Sequence, residues 1–146
     1  MEKTVHVVCP HCDAVNRVLQ ERLADRGTCG SCKAPLFDRH PVALTERNFD
    51  RHIGRSGLPV VVDFWAAWCG PCLAMAPHFE RAAGELEPRV RLAKLDTEAA
   101  PGIAARYGVR SIPTLVLFRG GVEAARQAGV MDLPHLLHWV RSHLSA

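Results

Sequence analysis

Three pairs of cysteines, each with two residues between the partners, contain all six cysteines of this 146-residue chain. The pairs are Cys9 with Cys12, Cys29 with Cys32, and Cys69 with Cys72. Two thiolates at this spacing can hold one face of a metal ion, or they can form and break a disulfide. In a reducing compartment such pairs are more often metal-binding or catalytic than structural disulfides. The residues around each pair indicate which chemistry it performs.

The first two pairs have the spacing of a four-thiolate zinc site. Sixteen residues separate Cys12 from Cys29, within the roughly 15–20 residues typical of such sites. Zn²⁺ accepts four soft ligands tetrahedrally, which leaves no open position for a substrate. We therefore predict one structural zinc ion per chain, which holds residues 1–37 folded as a zinc ribbon. Three alternatives are open on spacing alone: two structural disulfides, four free thiols, or a set of three cysteines with His6, His11 or His40.

The third pair follows a long apolar segment and precedes a predicted helix. Residues 58–65 are continuously apolar apart from one acidic residue, and β-branched residues are frequent, which is typical of a strand buried on both faces. Cys69 would then lie at the helix N-terminus, where the helix dipole lowers the pKa of its thiol. Cys72, one turn further on, is expected to be more buried. Cys69 is therefore predicted to attack a substrate disulfide and Cys72 to resolve the mixed disulfide.

Asp63 interrupts the apolar strand that precedes the third pair. A buried carboxylate without a partner is costly, so its presence there suggests a function. We expect burial to raise the pKa of Asp63, so that its carboxylate can accept the proton that Cys72 loses. A tolerated acidic residue near the strand end is the alternative interpretation.

The elements that position these cysteines fall into two parts. Residues 1–37 are loop-rich and contain too few large apolar residues to fold without a metal. Residues 38–44 are predicted to be a junction. Over residues 45–146 the predicted order of elements is αβαβαββα, with Thr45 capping the first helix and Asp132 the last. This order indicates an α/β domain whose central mixed sheet is flanked by helices.

Residues 42–146 resemble the thioredoxin family in several independent segments. These are DFWAAWCGPC at 63–72, Ala76-Pro77, KLD at 94–96 and RSIPT at 110–114. Together with the four-cysteine extension they resemble the zinc-containing cytoplasmic thioredoxins. The resemblance implies a thioredoxin fold, disulfide-containing proteins as substrates, and re-reduction by thioredoxin reductase with electrons from NADPH. It implies no tightly bound organic cofactor.

The resemblance also implies roles for residues outside the cysteine pairs. Pro113 matches a cis-proline that faces the cysteines and turns the preceding backbone towards a substrate strand, although an ordinary trans-proline fits the sequence as well. Lys94 matches a buried lysine beside the aspartate of the family; otherwise it is a routine edge-strand charge. The surface on which substrates and reductase dock is expected to include Trp68, Gly70, Pro71, Gly108, Ile112, Gly129 and Val130.

Two further expectations concern residues outside these motifs. The family often has a basic residue directly after the second active-site cysteine, and here Leu73 takes its place, which removes a positive charge near Cys69. The other histidines of the C-terminal part are expected to be solvated helix positions: His52, His78, His135, His138 and His143.

Composition and charge argue against a membrane-spanning protein and against a nucleic-acid-binding protein. The chain is 48% hydrophobic and 23% charged, as in globular proteins, and no apolar run approaches the roughly 20 residues of a membrane-spanning helix. The N-terminus has no apolar signal core, so we expect a cytoplasmic protein without a membrane partner.

The formal charge is only +3, with no block of like charge, so we expect no nucleic-acid partner. Nothing indicates an obligate oligomer, and we expect a monomer.

Two other functions fit parts of the sequence. A disulfide isomerase or oxidase would use the same dithiol, but the Gly-Pro dipeptide between Cys69 and Cys72 resembles the reducing members of the family. A zinc-ribbon binding module could instead target the redox domain to a nucleic acid or protein. The ribbon has no basic stripe with interleaved aromatic residues, which argues against nucleic acid.

Overall fold

The computed structural model describes residues 3–144, so positions 1–2 and 145–146 of the two predicted domains lie outside the described chain. The described part contains a small two-stranded sheet followed by a five-stranded mixed sheet with four α-helices. The predicted α/β class, with a mixed sheet flanked by helices, is confirmed. None of the described helices combines the length and apolarity needed to cross a membrane.

The two-stranded sheet belongs to the ribbon, here residues 3–37. Its strands β1 (Thr4–Val8) and β2 (Val15–Leu19) pair antiparallel. A short 3₁₀ turn at Gln20–Arg22 follows. The ribbon buries a small apolar cluster that includes one residue from the rest of the chain; its members are Val7, Cys9, Cys29, Leu36 and Leu58.

The five-stranded sheet forms the centre of the main domain, here residues 42–144. Its strands are β3 (Val42–Leu44), β4 (Val60–Trp65), β5 (Arg91–Asp96), β6 (Thr114–Arg119) and β7 (Val122–Ala128). The spatial order is β3-β5-β4-β6-β7, in which β3 and β4 run parallel to β5, whereas β6 is antiparallel to β4 and β7. The central strand β4 is buried from residue 60 to residue 64, because helices cover both faces of the sheet.

Four helices cover the two faces of the five-stranded sheet. They are α1 (Phe49–Arg55), α2 (Gly70–Leu86), α3 (Pro101–Arg106) and α4 (Leu133–Ser142). Alternate residues of β4 face opposite layers, as the two-residue period of a strand requires. Val62 packs in the cluster with α1 and α3, and Val61 packs in the cluster with α2 and α4. The carboxylate of Asp132 accepts the N–H of His135 at 3.1 Å and caps α4, as predicted.

One detail of the predicted order is wrong. Residues 38–44 contain strand β3 in addition to a connection, and a three-residue strand is too short to give a periodic signal. Helix α1 begins at Phe49, whose N–H donates to the Thr45 carbonyl at 3.0 Å. The Asn48 side chain accepts the N–H of Thr45 at 2.7 Å, and the Thr45 hydroxyl accepts the N–H of Asn48 at 3.3 Å. These reciprocal bonds are those of a capping box, so Thr45 caps the turn that leads into α1, as predicted.

Candidate redox and metal sites

Cys69 and Cys72 lie where the chain passes from β4 into α2, at the predicted junction of strand and helix. Cys69 is the N-cap residue of α2, and its sulfur accepts the N–H of Cys72 at 3.2 Å. Gly70 and Pro71 are the first helical residues, positions where a missing proline N–H costs no helical hydrogen bond. The two cysteines form a disulfide with Cα atoms 5.2 Å apart. The third pair is therefore arranged for thiol–disulfide exchange at a helix N-terminus.

The predicted difference in burial between the two cysteines is absent in this disulfide form. Cys69 is 3% exposed and Cys72 is 2% exposed. Both pack with Ala66, Trp65 and Ile112, and these neighbours cover the first sulfur as well as the second. The two cysteines differ instead in their position on the helix. Cys69 is the N-cap residue, and its sulfur accepts the N–H of Cys72.

Asp63 is fully buried in the middle of β4. Its two carboxylate oxygens are the only buried side-chain oxygen or nitrogen atoms without a hydrogen-bond partner among residues 3–144. Burial raises the pKa of Asp63 to about 7 and outweighs the opposing effect of Lys94. Asp63 shares its face of β4 with Val61, which packs against α2, and with Trp65, which packs against the disulfide. The carboxylate thus lies on the sheet face covered by α2.

Lys94 lies opposite Asp63 in the register of β4 and β5. Strand β5 lies between β3 and β4 in the sheet, so Lys94 is not the edge-strand charge of the alternative interpretation. Its ammonium group is 4.4 Å from the centre of the Trp65 ring, a favourable cation–π distance. Lys94 therefore supplies the positive charge that limits the rise in the pKa of Asp63.

The loop before β6 faces the disulfide. The Ile112–Pro113 peptide bond is cis, as predicted, and the carbonyl oxygen of Ile112 lies 3.6 Å from the Cys69 sulfur. The N–H of Gly129 donates to the carbonyl of Pro113 at 2.9 Å. Gly129 has a φ of 98°, a conformation that side chains disfavour. These contacts bring the start of β6 and the end of β7 next to the active-site pair.

Exposed apolar side chains surround this pair. Trp68 is 69% exposed, Leu73 is 53% exposed and Val130 is 48% exposed. The first two lie directly before and after the disulfide in sequence, and Val130 follows the glycine that contacts Pro113. They are three of the four large hydrophobic side chains that are exposed in the described chain, and the fourth is Val122. Such clustering is typical of an interaction surface.

Two residues of the expected docking surface, Trp68 and Gly108, make hydrogen bonds that the sequence does not indicate. The indole N–H of Trp68 donates to the carboxylate of Glu98 at 2.9 Å, a partner 30 residues away that no local pattern indicates. Gly108 lies in the loop after α3 with a φ of 62°. Its carbonyl accepts a hydrogen bond from Arg126 of β7 at 3.5 Å.

The remaining four cysteines form one cluster in the ribbon. All four sulfurs lie within 4.8 Å of one another, and the sulfurs of Cys9 and Cys32, like those of Cys12 and Cys29, are 3.6 Å apart. Tetrahedral Zn–S bonds of about 2.3 Å would separate the sulfurs by about 3.8 Å, so the donors fit the size and softness of zinc.

Two of the three alternatives for these cysteines, structural disulfides and a histidine ligand, do not agree with the structure. The four cysteines are free, so they form no disulfides. Within residues 3–144 the cluster of possible metal ligands contains no histidine. The ring of His11 instead lies 3.2 Å from the carboxylate of Asp38.

The two pairs have the same backbone fold, in a first knuckle (residues 9–14) and a second knuckle (residues 29–34). In each, the N–H of the leading cysteine donates to the carbonyl five residues later at 2.8 Å, and its carbonyl accepts an N–H at 3.0 Å. The residue after the second cysteine is left-handed, with φ of 66° at Asp13 and 69° at Lys33. A backbone N–H also donates to each leading sulfur at 3.3 Å. Each knuckle thus directs its two sulfurs towards the other knuckle.

The thiols of Cys9 and Cys29, the leading cysteines of the two knuckles, differ in pKa. Burial raises the pKa of Cys9 to about 12. Hydrogen bonds from the backbone N–H of Cys32 and from the Asn16 amide lower the pKa of Cys29 to about 6. The Asn16 amide lies 3.5 Å from the Cys29 sulfur, and its oxygen accepts the N–H of Gly30 at 2.9 Å. Asn16, which the sequence analysis did not identify, therefore links β2 to the second knuckle and favours one thiolate there.

The expectation that His52 is solvated is wrong. His52 is 1% exposed, and its Nε2 atom donates to the Asp13 carboxylate at 2.8 Å. Burial lowers the pKa of His52 despite this acidic partner, so the ring is neutral near pH 7. His78 is half-buried, and its Nδ1 atom accepts the N–H of Leu133. Both histidines are therefore packing residues with specific partners.

Comparisons with known proteins agree with both sites. Residues 40–142 match the thioredoxin family model, and residues 8–34 match a model described as thioredoxin 2, N-terminal. The chain is 46% identical over 138 residues to thioredoxin C-3 of Corynebacterium nephridii, which is 94% of each chain. It is 36% identical over 101 residues to thioredoxin of Rickettsia bellii, which is 69% of this chain and 96% of that protein. Thioredoxin 1 of Nostoc sp. is 38% identical over 69% of this chain and 94% of its own.

Proposed function

Because the chain belongs to the thioredoxin family of protein-disulfide reductases, we propose that thioredoxin reductase re-reduces it with electrons from NADPH. One feature supports this cycle above all: the Cys69–Cys72 disulfide lies at the N-terminus of α2, beside a cis-proline and an exposed apolar surface. A dithiol in that position can accept two electrons from a reductase and pass them to a protein disulfide.

Cys69 is the attacking thiolate. Its sulfur bonds to one sulfur of the substrate disulfide, the substrate S–S bond breaks, and the other substrate sulfur leaves as a thiolate. The N-cap position supports this role, because the N–H of Cys72 donates to the Cys69 sulfur and the helix dipole stabilises negative charge there. Cys72 then attacks Cys69, which forms the internal disulfide and releases the second substrate thiolate. The substrate gains two electrons and the dithiol loses them.

Asp63 accepts the proton that Cys72 loses before the second attack. A carboxyl group with a pKa of about 7 can take and release a proton near neutral pH. The lack of any hydrogen-bond partner for its oxygens leaves them free to do so. Lys94, opposite Asp63 on β5, keeps this pKa from rising further.

The backbone before Pro113 and the surrounding apolar surface bind the substrate. A substrate strand pairs with the backbone of Ile112, whose carbonyl already lies beside the Cys69 sulfur, and β-strand addition provides orientation without sequence specificity. The same surface receives the reductase. The proposed docking residues are Trp68, Gly70, Pro71, Gly108, Ile112, Gly129 and Val130.

We further propose that the ribbon cysteines bind one zinc ion with a structural role. Four thiolates complete a tetrahedral shell and leave no position for a substrate. The ribbon would occupy residues 1–37 and the thioredoxin domain residues 45–146 together with strand β3. Four thiolates beside a redox dithiol require a reducing compartment, so we place the protein in the cytoplasm, as a monomer.

A redox titration of the zinc-loaded protein tests this function, with tryptophan fluorescence as the readout because Trp65 packs against the disulfide. We expect a reduction potential near about −270 mV, that of a thioredoxin. A potential between about −180 and −120 mV would identify an isomerase or oxidase and overturn the reductase cycle.

Oxidation of NADPH by thioredoxin reductase, with insulin as the disulfide substrate, tests the source of electrons. Elemental analysis of the purified chain tests the identity and number of the metal ions.

A further inference from the structure

The main domain holds the first knuckle at both of its ends. One contact reaches Val8, the residue before Cys9, and the other reaches Asp13, the residue after Cys12. Within residues 3–144, the second knuckle makes no side-chain hydrogen bond to the main domain, and its side-chain partner from outside the knuckle is Asn16 of the ribbon. The two knuckles therefore have the same backbone fold but different supports.

Arg91, the first residue of β5, holds the leading end. Its guanidinium is buried and donates to the carbonyl of Val8 at 3.2 Å and to the carbonyl of Leu36 at 2.8 Å. A third bond, at 2.9 Å, joins it to the buried carboxylate of Glu87. The planar fork of arginine suits this geometry, because it presents several N–H groups in fixed directions. The backbone that enters the first knuckle is thus fixed from the main domain.

His52 of α1 holds the trailing end. Its Nε2 atom donates to the Asp13 carboxylate at 2.8 Å, and the amide of Asn48 donates to the same oxygen at 3.3 Å. Arg51 donates to the backbone carbonyl of Asp13 at 3.2 Å. Asp13 is left-handed, a conformation that costs a non-glycine residue about 1 kcal/mol or more. These contacts stabilise the turn that directs the Cys12 sulfur towards the second knuckle.

We propose that Arg91 and His52 are positioning residues of the metal site, which fix the first knuckle in its metal-binding conformation. This inference rests on the proposed binding of zinc by the four ribbon cysteines. Residues that orient metal ligands without touching the metal typically contribute about 10–100-fold to metal affinity. Arg91 is 83 residues from Val8 and belongs to the main domain. The metal affinity of the ribbon thus depends on the fold of the main domain.

The test compares four full-length variants for zinc affinity, by competition with a chelator of known affinity. His52→Leu removes the donor to Asp13, and His52→Gln replaces it with an amide N–H. Arg91→Lys keeps the charge beside Glu87 but loses the second guanidinium nitrogen, which donates to the carbonyls of Val8 and Leu36. Arg39→Met is the matched control, because Arg39 donates to Gly84 at the same boundary and touches neither knuckle.

We expect His52→Leu and Arg91→Lys each to weaken zinc binding by about 10–100-fold. His52→Gln should recover most of the affinity, and Arg39→Met should leave it unchanged. Thermal unfolding with saturating zinc confirms that each variant folds. The absorption bands of Co²⁺ bound to each variant report on ligand geometry, and we expect them to change in the two weakened variants only.

Wild-type affinity in folded His52→Leu and Arg91→Lys would overturn the inference. Equal losses in the Arg39 and His52→Gln variants would also overturn it, because they would indicate a general loosening of the boundary. If Arg91→Lys does not fold, the comparison of His52→Leu with His52→Gln decides. Absence of zinc binding by the wild-type chain would instead refute the proposed metal site, so the two failures are distinguishable.

Discussion

The ribbon knuckles and the active-site pair share the pattern Cys-x-x-Cys but differ in the backbone that follows. In each knuckle a left-handed residue, Asp13 or Lys33, comes directly after the second cysteine and turns the chain back. After Cys72 the chain continues as helix α2 for fourteen residues, to Leu86. The knuckle sulfurs consequently face another pair, whereas Cys69 and Cys72 face each other. The conformation after the second cysteine, rather than the spacing, separates metal binding from redox chemistry.

Two parts of the main domain also differ in how they bury polar side chains. At the boundary with the ribbon, the buried side chains Arg91 and Glu87 form an ion pair, and buried His52 has Asp13 as its partner. On the sheet face covered by α2, Asp63 is buried with no hydrogen-bond partner. Paired charges serve structure, whereas an unpaired carboxyl with a raised pKa is typical of a functional site.

The largest expected effect separates the two kinds of cysteine pair. Cys69→Ser should lower insulin reduction to the uncatalysed background, because no attacking thiolate remains, while the zinc content stays at one ion per chain. Cys12→Ser should lose the zinc ion and retain insulin reduction. The ribbon contacts Leu58 before β4, and the six residues of β4 extend about 20 Å from there towards Cys69. Loss of turnover in Cys12→Ser would show that disulfide reduction requires the metal site.

The buried ion pair at the ribbon boundary should make a large contribution to stability. Glu87→Gln leaves the buried Arg91 guanidinium without a counter-charge, and we expect a loss of about 3–5 kcal/mol in the free energy of unfolding. Urea denaturation measures this loss. Glu80→Gln is the control, because it removes an exposed ion pair with His40 and should cost less than about 1 kcal/mol. Equal effects of the two substitutions would show that burial does not strengthen the pair at this boundary.

Asp63 should destabilise the folded protein as the pH rises. In the unfolded chain its carboxyl ionises near the ordinary pKa of 3.8, whereas burial raises the pKa to about 7 in the folded protein. Between these values the folded state holds a proton that the unfolded state has lost, so stability falls with rising pH across this window. The loss is complete above pH 7 and amounts to about 4 kcal/mol.

Asp63→Asn tests this assignment because the amide has the same shape and no charge. At pH 8 the oxidised variant should be more stable to urea than the wild type by about 4 kcal/mol, and the difference should nearly vanish by pH 4. The step in which Cys72 releases the substrate should slow by about 100-fold in single-turnover experiments. A pH-independent difference in stability, or an unchanged release rate, would show that Asp63 is not the proton acceptor.

The sequence was most informative where a pattern is local. The spacing of Cys9, Cys12, Cys29 and Cys32 identified the metal cluster, and the apolar run before Cys69 identified the buried strand. The short strand β3 was missed, because three residues give no period, whereas the cap at Thr45 was found because its side chain acts on the next turn of the chain.

The boundary between ribbon and main domain was invisible for a different reason. Its polar residues, Arg91, Glu87 and His52, suggest solvent exposure by type. Their partners lie far away in sequence: His52 is 39 residues from Asp13. Only the folded chain shows that each of these polar side chains is buried against a specific partner, and at this boundary the two regions become one structure.

The smallest expected effect concerns Leu73, which stands where the family often has a basic residue. Leu73→Lys adds a positive charge at a site that is 53% exposed, where solvent screens charges to about 0.2–1 kcal/mol. Reduced Cys69 should therefore react with iodoacetamide about twofold to fivefold faster at pH 6, because more of it is thiolate. The same change at Ala74, the next exposed helix position, is the control for added charge. Equal acceleration by both would mean that net charge, rather than the position after Cys72, tunes the active-site pair.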